Sequence, residues 1–141
     1  MKPFAVTALL FGAFAAVAAD KPEAFAGKWV IESAVRDGKE DPGLKGAIRI
    51  HDGETYSVTP VDGSKTPPAK GTFTVDLSKT PATIDMKPTT GRYKDRVLLG
   101  IAKVDGDTLV IAFAEPGKDR PAAFDSKDGS GVVVAVHRRA K

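Results

Sequence analysis

His51 and His137 are the two histidines of a chain that has no cysteine, and they set the limits of its metal and redox chemistry. A zinc centre takes three or four protein ligands. His51 abuts an Asp52-Gly53 turn and His137 lies most of the chain away, so a metal at His51 would need a second pair of ligands from another strand. His51 reads instead as an exposed turn-side histidine, and His137, out of phase with Val132, Val134 and Val136, is expected to face solvent. Without thiols there are no disulfides, iron–sulfur ligands or cysteine nucleophiles. Ser126 and Ser130 sit in a polar loop with no histidine near them, so a hydrolytic triad does not assemble. Asp105 and Asp107 flank a hairpin glycine and are accounted for by turn chemistry. No spread acidic loop with a closing Glu is present for calcium. Gly129-Ser130-Gly131 lacks the Lys-Ser/Thr pair and helix of a phosphate loop and reads as a strand entry. With no acid, base and nucleophile to name, the chain is expected to be non-catalytic, without cofactor or metal.

Binding chemistry is better represented. In Glu115 to Phe124 the prolines fix the backbone, Arg120 can make bidentate bonds to a carboxylate or to carbonyls, and Phe124 can fold back as an apolar lid. Two readings follow: the loop gates a cavity, or Arg120 staples the loop to its own domain while Phe124 fills core, the second being favoured. Trp29, Ile31, Tyr56, Phe73, Phe113 and Val134 each sit on the apolar face of a short alternating run, as residues lining an interior do. The expected ligand contacts are Ile31, Tyr56, Phe73, Phe113, Arg120 and Phe124.

The elements that carry these residues read as strands. After residue 19 no long stretch shows helical apolar spacing, whereas alternating runs bounded by Gly, Pro and Asp recur. Lys28 to Arg36 places Trp29, Ile31 and Val35 on one face. Ala47 to Ile50 and Thr55 to Val58 flank Asp52-Gly53, a dipeptide suited to a tight hairpin. Phe73, Val75 and Leu77 alternate with Thr72, Thr74 and Asp76, and Ile84 and Met86 with Asp85 and Lys87. Arg96 to Val104 and Thr108 to Ala114 are nearly continuous apolar runs joined by Asp105-Gly106-Asp107, and Gly131 to Arg138 closes the series with Val132, Val134 and Val136 inward. Ala24 to Lys28 is expected to form a helical turn plugging one end. About eight strands joined mostly by short turns predict an all-β fold, an eight-stranded antiparallel up-and-down barrel, whose closure removes exposed sheet edges. Such a barrel is just wide enough to be filled by side chains or to hold one small ligand.

Gly27-Lys28-Trp29 at the start of the first strand, with an arginine ending the last, is similar to the lipocalin pattern, in which a Trp plugs the closed end under a basic side chain. The resemblance assigns that partner to Arg138, in phase with the valines, and makes Gly27, Trp29 and Arg138 the structural motif. Asp76 to Asp85, Leu99-Gly100-Ile101, Asp105 to Leu109 and Arg120 to Phe124 resemble, in order and spacing, the blocks of a lipocalin-like domain family expanded in planctomycete bacteria. The resemblance runs from Ala26 to Arg139. It departs at Ala102, where an aromatic residue is expected and where its loss would leave a gap. The family is named for its fold, so the resemblance implies a lipocalin-like barrel and no particular chemistry.

Residues 1–19 read as a signal peptide: Lys2, an uncharged apolar run from Phe4 to Ala19, and small residues at Val17-Ala18-Ala19 before Asp20. The run is short for a membrane span of roughly 20 residues. One domain over 20–141, exported to a periplasmic or extracellular space, is the expectation. Twenty-one Lys and Arg against 18 Asp and Glu give +3, and loss of Lys2 leaves +2. The basic residues are scattered except at the C-terminal tail, which argues against nucleic acid. The sequence thus predicts a monomer, free of the membrane once processed, that binds a small apolar or amphipathic molecule. Its rival is a solid-barrel module binding a protein or envelope component.

Overall fold

The computed structural model describes residues 22–140, and the expected signal peptide lies outside them. A short 3-10 turn, Pro22–Phe25, leads into nine strands: β1 (Gly27–Arg36), β2 (Lys39–Glu40), β3 (Ile48–Asp52), β4 (Thr55–Thr59), β5 (Ala69–Asp76), β6 (Ala82–Pro88), β7 (Leu98–Asp105), β8 (Thr108–Ala114) and β9 (Val132–Arg139). Each long strand pairs antiparallel with its chain neighbour, and β9 returns to pair with β1, closing an eight-stranded up-and-down barrel of lipocalin-like architecture. The β2 strand is an addition inside the Asp37 to Gly46 connection. It pairs with β1 across Asp37-Gly38, both of which adopt positive φ as a tight hairpin turn requires.

Strand alternation sorts the side chains. Ile31, Tyr56, Val58, Phe73, Ile84, Met86, Leu98, Leu109 and Ile111 are buried within the barrel, whereas Lys70, Thr72, Thr74, Lys87 and Lys103 point outward and are exposed. An apolar interior inside a charged exterior is the reverse of a lipid-facing barrel. No helix among the described residues is long and apolar enough to cross a membrane.

Phase differs from expectation in two strands. Val136 pairs with Ser33 and His137 with Ile31, so Glu32 is an extra residue that bulges β1 outward; Ala34, not Val35, is the next buried position. In β9 the buried set is Val133, Ala135 and His137, while Val132, Val134 and Val136 are only half-buried. Three alternating valines suggested the apolar face, but the chain gives the inside to the smaller and more polar set. Arg139 therefore shares the phase of His137, and Arg138 turns outward to an exposed ion pair with Glu32.

That phase decides how the closed end is corked. Trp29 is fully buried, its Nε1 donates to the Phe25 carbonyl at 3.0 Å, and the guanidinium carbon of Arg139 lies 4.2 Å from the centroid of its ring. Arg139 also donates to the carbonyls of Ala26 and Ala24, each at 3.1 Å, so it ties the N-terminal turn over the indole. Gly27, at φ 106°, occupies the crossing where a side chain would meet Arg139 Nη1.

A cation on an indole with two backbone hydrogen bonds is expected to hold about 1–3 kcal/mol, whereas an exposed ion pair holds about 0–1 kcal/mol. Urea denaturation should find Arg139→Ala clearly destabilised and Arg138→Ala close to the parent. Equal losses, or a larger one at Arg138, would contradict the assignment of the cork to Arg139.

Candidate functional site

A cavity of about 430 Å³ opens at the end of the barrel opposite Trp29. That volume falls within the usual range of small-molecule sites, roughly 300–1,000 Å³. Its wall is formed by Ile31, Val58, Met86, Leu98 and Phe113, and its mouth by Lys65 to Pro68 and Thr90 to Tyr93. Small side chains contribute to the void: Ala135, which lines it, faces its cross-strand partner Ala34, while Ala102, where an aromatic residue was expected, is buried in the core away from the lining. Gly71 matters differently. A side chain there would stand 2.7 Å from Tyr56 Cε1, so its absence lets the phenol ring lie against the β5 backbone.

Polar groups gather at the floor. Arg49, 5 % exposed, also lines the cavity. Its Nε donates to His51 Nε2 at 2.9 Å, Nη2 points a hydrogen at the sulfur of Met86 at 3.0 Å, and its guanidinium carbon lies 5.1 Å from the Tyr56 ring centroid. His51 Nδ1 contacts the Phe25 carbonyl at 2.9 Å. A carbonyl only accepts, so Nδ1 carries the proton and Nε2 presents the lone pair that Arg49 uses. His51 stacks against Phe73 at 4.5 Å. His137 is fully buried, its Nδ1 donating to the Leu109 carbonyl at 3.0 Å, while Nε2 has no hydrogen-bond partner among the described residues.

Charges follow from this placement. Burial, aided by the Arg49 cation, pushes both His51 and His137 down to about 3, so both are neutral near pH 7. Burial lowers Arg49 from 12.5 to about 10, which leaves it cationic, and raises the Tyr56 phenol, which leaves it neutral. The floor thus holds one positive charge and no negative one.

Two histidines expected at the surface are therefore interior. The hairpin carried that information: across Asp52-Gly53, His51 pairs with Tyr56 and Arg49 with Val58, and directly paired residues share a face. An inward Tyr56 and Val58 force His51 and Arg49 inward. Arg49, absent from the residues expected to bind, is the principal addition. Of those that were expected, Ile31, Tyr56 and Phe113 line the cavity together. Phe73 is buried beneath it against His51, and Val134 is half-buried in β9 outside the set that lines it.

Arg120 and Phe124 lie on the outer wall. Arg120 donates to the carbonyl of Gly100 at 2.8 Å and meets Asp85 at 2.7 Å, and Lys103 lies 4.6 Å from the Phe124 ring centroid. Arg120 is the staple of the stapled-loop arrangement, while Phe124 is half-buried against the outer wall instead of filling core, and neither residue lines the cavity. Ser126 Oγ is likewise structural, donating to Val132 O and accepting from Gly38 N. No cluster of metal-ligating side chains occurs among the described residues.

No protein-family model, curated protein or solved structure matches this chain. The fold and the site thus define the protein as a closed β-barrel with a one-ended apolar cavity and a cationic floor.

Two histidines held neutral below their unfolded pKa of 6.5 bind protons in the unfolded chain first. Their contribution to stability is complete above pH 6.5 and is lost as pH falls toward about 3, at roughly 1.4 kcal/mol per pH unit for each. Denaturation curves from pH 7.5 to 5, mostly above the carboxylate range, should show this decline, and His137→Gln should reduce it. A flat profile would mean that the imidazoles are not held neutral.

Proposed function

We propose that this chain is an exported, monomeric, lipocalin-like binding protein that carries one small apolar or amphipathic molecule in its barrel without catalysing a reaction. The observation that carries this reading is the cavity above Arg49, whose wall of Ile31, Val58, Met86, Leu98 and Phe113 offers apolar surface to a ligand. Apolar contact with such a wall is a general source of affinity, and a few polar groups then set orientation. Export rests on the leader-like residues 1–19, and membership of the planctomycete lipocalin-like family on the sequence blocks from Asp76 to Phe124.

The solid-barrel alternative requires a filled lumen and a contiguous apolar exterior. Ile50, Val61 and Val97 are the exposed large hydrophobic residues among those described; Ile50 is in β3, and Val61 and Val97 are in two separate connections. The cavity favours the carrier.

An apolar dye whose fluorescence rises on burial should bind the mature protein saturably at one site. Ala135→Leu, which extends a side chain into the cavity from β9, should keep the fold by circular dichroism and weaken dye binding by at least tenfold. Dye uptake that is unsaturable, or unaffected by Ala135→Leu, would remove the cavity as the binding site.

A further inference from the structure

The floor of the cavity is built unlike its wall. Arg49 has five N–H donors, of which one is taken by His51 and one by a thioether, a weak acceptor. No carboxylate among the described residues lies within 4 Å of its guanidinium, although the chain pairs Arg36, Arg120, Arg138 and Arg139 with acids. A buried cation without a counter-charge is costly, and the neutral imidazole of His51 offers it a lone pair but no negative charge.

Positive charge predominates around the opening as well. Arg36, Arg49, Lys65 and Arg92 line the cavity against a single carboxylate, Asp41, which Arg36 already holds at 3.0 Å. A cleft lined by one sign of charge and walled by low-dielectric side chains attracts the opposite sign. The guanidinium fork also matches the two oxygens of a carboxylate geometrically.

Resting on the carrier reading above, we propose that the ligand is an amphipathic monocarboxylate that enters head-first, its carboxylate held by the free edge of Arg49 and its tail against Leu98 and Phe113. The Arg49–His51–Phe25 chain of hydrogen bonds fixes the guanidinium, so His51 acts as a positioning residue. The Tyr56 ring, 5.1 Å from the guanidinium carbon, packs against its face.

Competition against the bound dye, using decanoate, decanol and decylamine at neutral pH, tests this. Decanoate should displace the dye at least tenfold more tightly than decanol, with decylamine weakest. Arg49→Met should abolish that preference, bringing decanoate to the level of decanol, and Arg49→Lys should keep part of it. Circular dichroism confirms that each variant is folded; if Arg49→Met does not fold, the parent preference and its partial retention in Arg49→Lys decide. Saturable dye binding with decanol equal to decanoate, or a folded Arg49→Met that still prefers decanoate, overturns the anion assignment and leaves the carrier standing. Absence of saturable dye binding overturns both.

Discussion

The Phe25 carbonyl oxygen receives two hydrogen bonds, from Trp29 Nε1 and from His51 Nδ1, and the interior is organised from that atom. The first bond sets the indole across the closed end, where Arg139 covers it. The second fixes the tautomer of His51, which makes Nε2 an acceptor and orients Arg49. A backbone atom in a four-residue turn therefore determines how a side chain at the cavity floor is presented. Nothing in the turn contacts the cavity itself; its influence travels through an imidazole that can hold its proton on only one side.

The barrel accommodates this polar column because its walls compensate. Leu109, Ile111, Ile84 and Met86 surround it with buried apolar surface, and Trp29 stands next to an arginine on each neighbouring strand, Arg49 in β3 and Arg139 in β9. The two cations differ in environment. Arg139 is partly solvated, with carbonyl acceptors and Asp107 nearby, while Arg49 has an imidazole, a sulfur and an aromatic face. The same side-chain type serves as fastening in one place and as unpaired interior charge in the other.

Alternation and turn chemistry made the fold legible. Asp52-Gly53 and Asp105-Gly106-Asp107 mark hairpins that form, while the Trp29 cork was what the resemblance to the lipocalin pattern implied. The failures share a cause, which is that phase was assigned by hydrophobicity alone. Three valines in β9 outweighed Ala135 and His137, and His51 in β3 was placed at the surface beside its turn, because a polar residue in an alternating run is normally the solvated one. Pairing arithmetic across the two-residue turn would have corrected β3. The bulge at Glu32 had no such signal, since an inserted residue leaves the composition of a strand unchanged. The Arg120 loop was legible in its chemistry, a staple to carbonyls, more than in its location.

The chain leaves the barrel where it enters it. Ala140 N donates to Lys28 O at 2.8 Å, so both ends of the described domain emerge beside the cork, on the side away from the cavity mouth. Whatever is joined at either end, whether a fusion partner, a tag or a surface linker, would hang from the sealed base and leave the opening facing outward. The architecture is that of a cup mounted by its foot, which can be immobilised without obstructing what enters it.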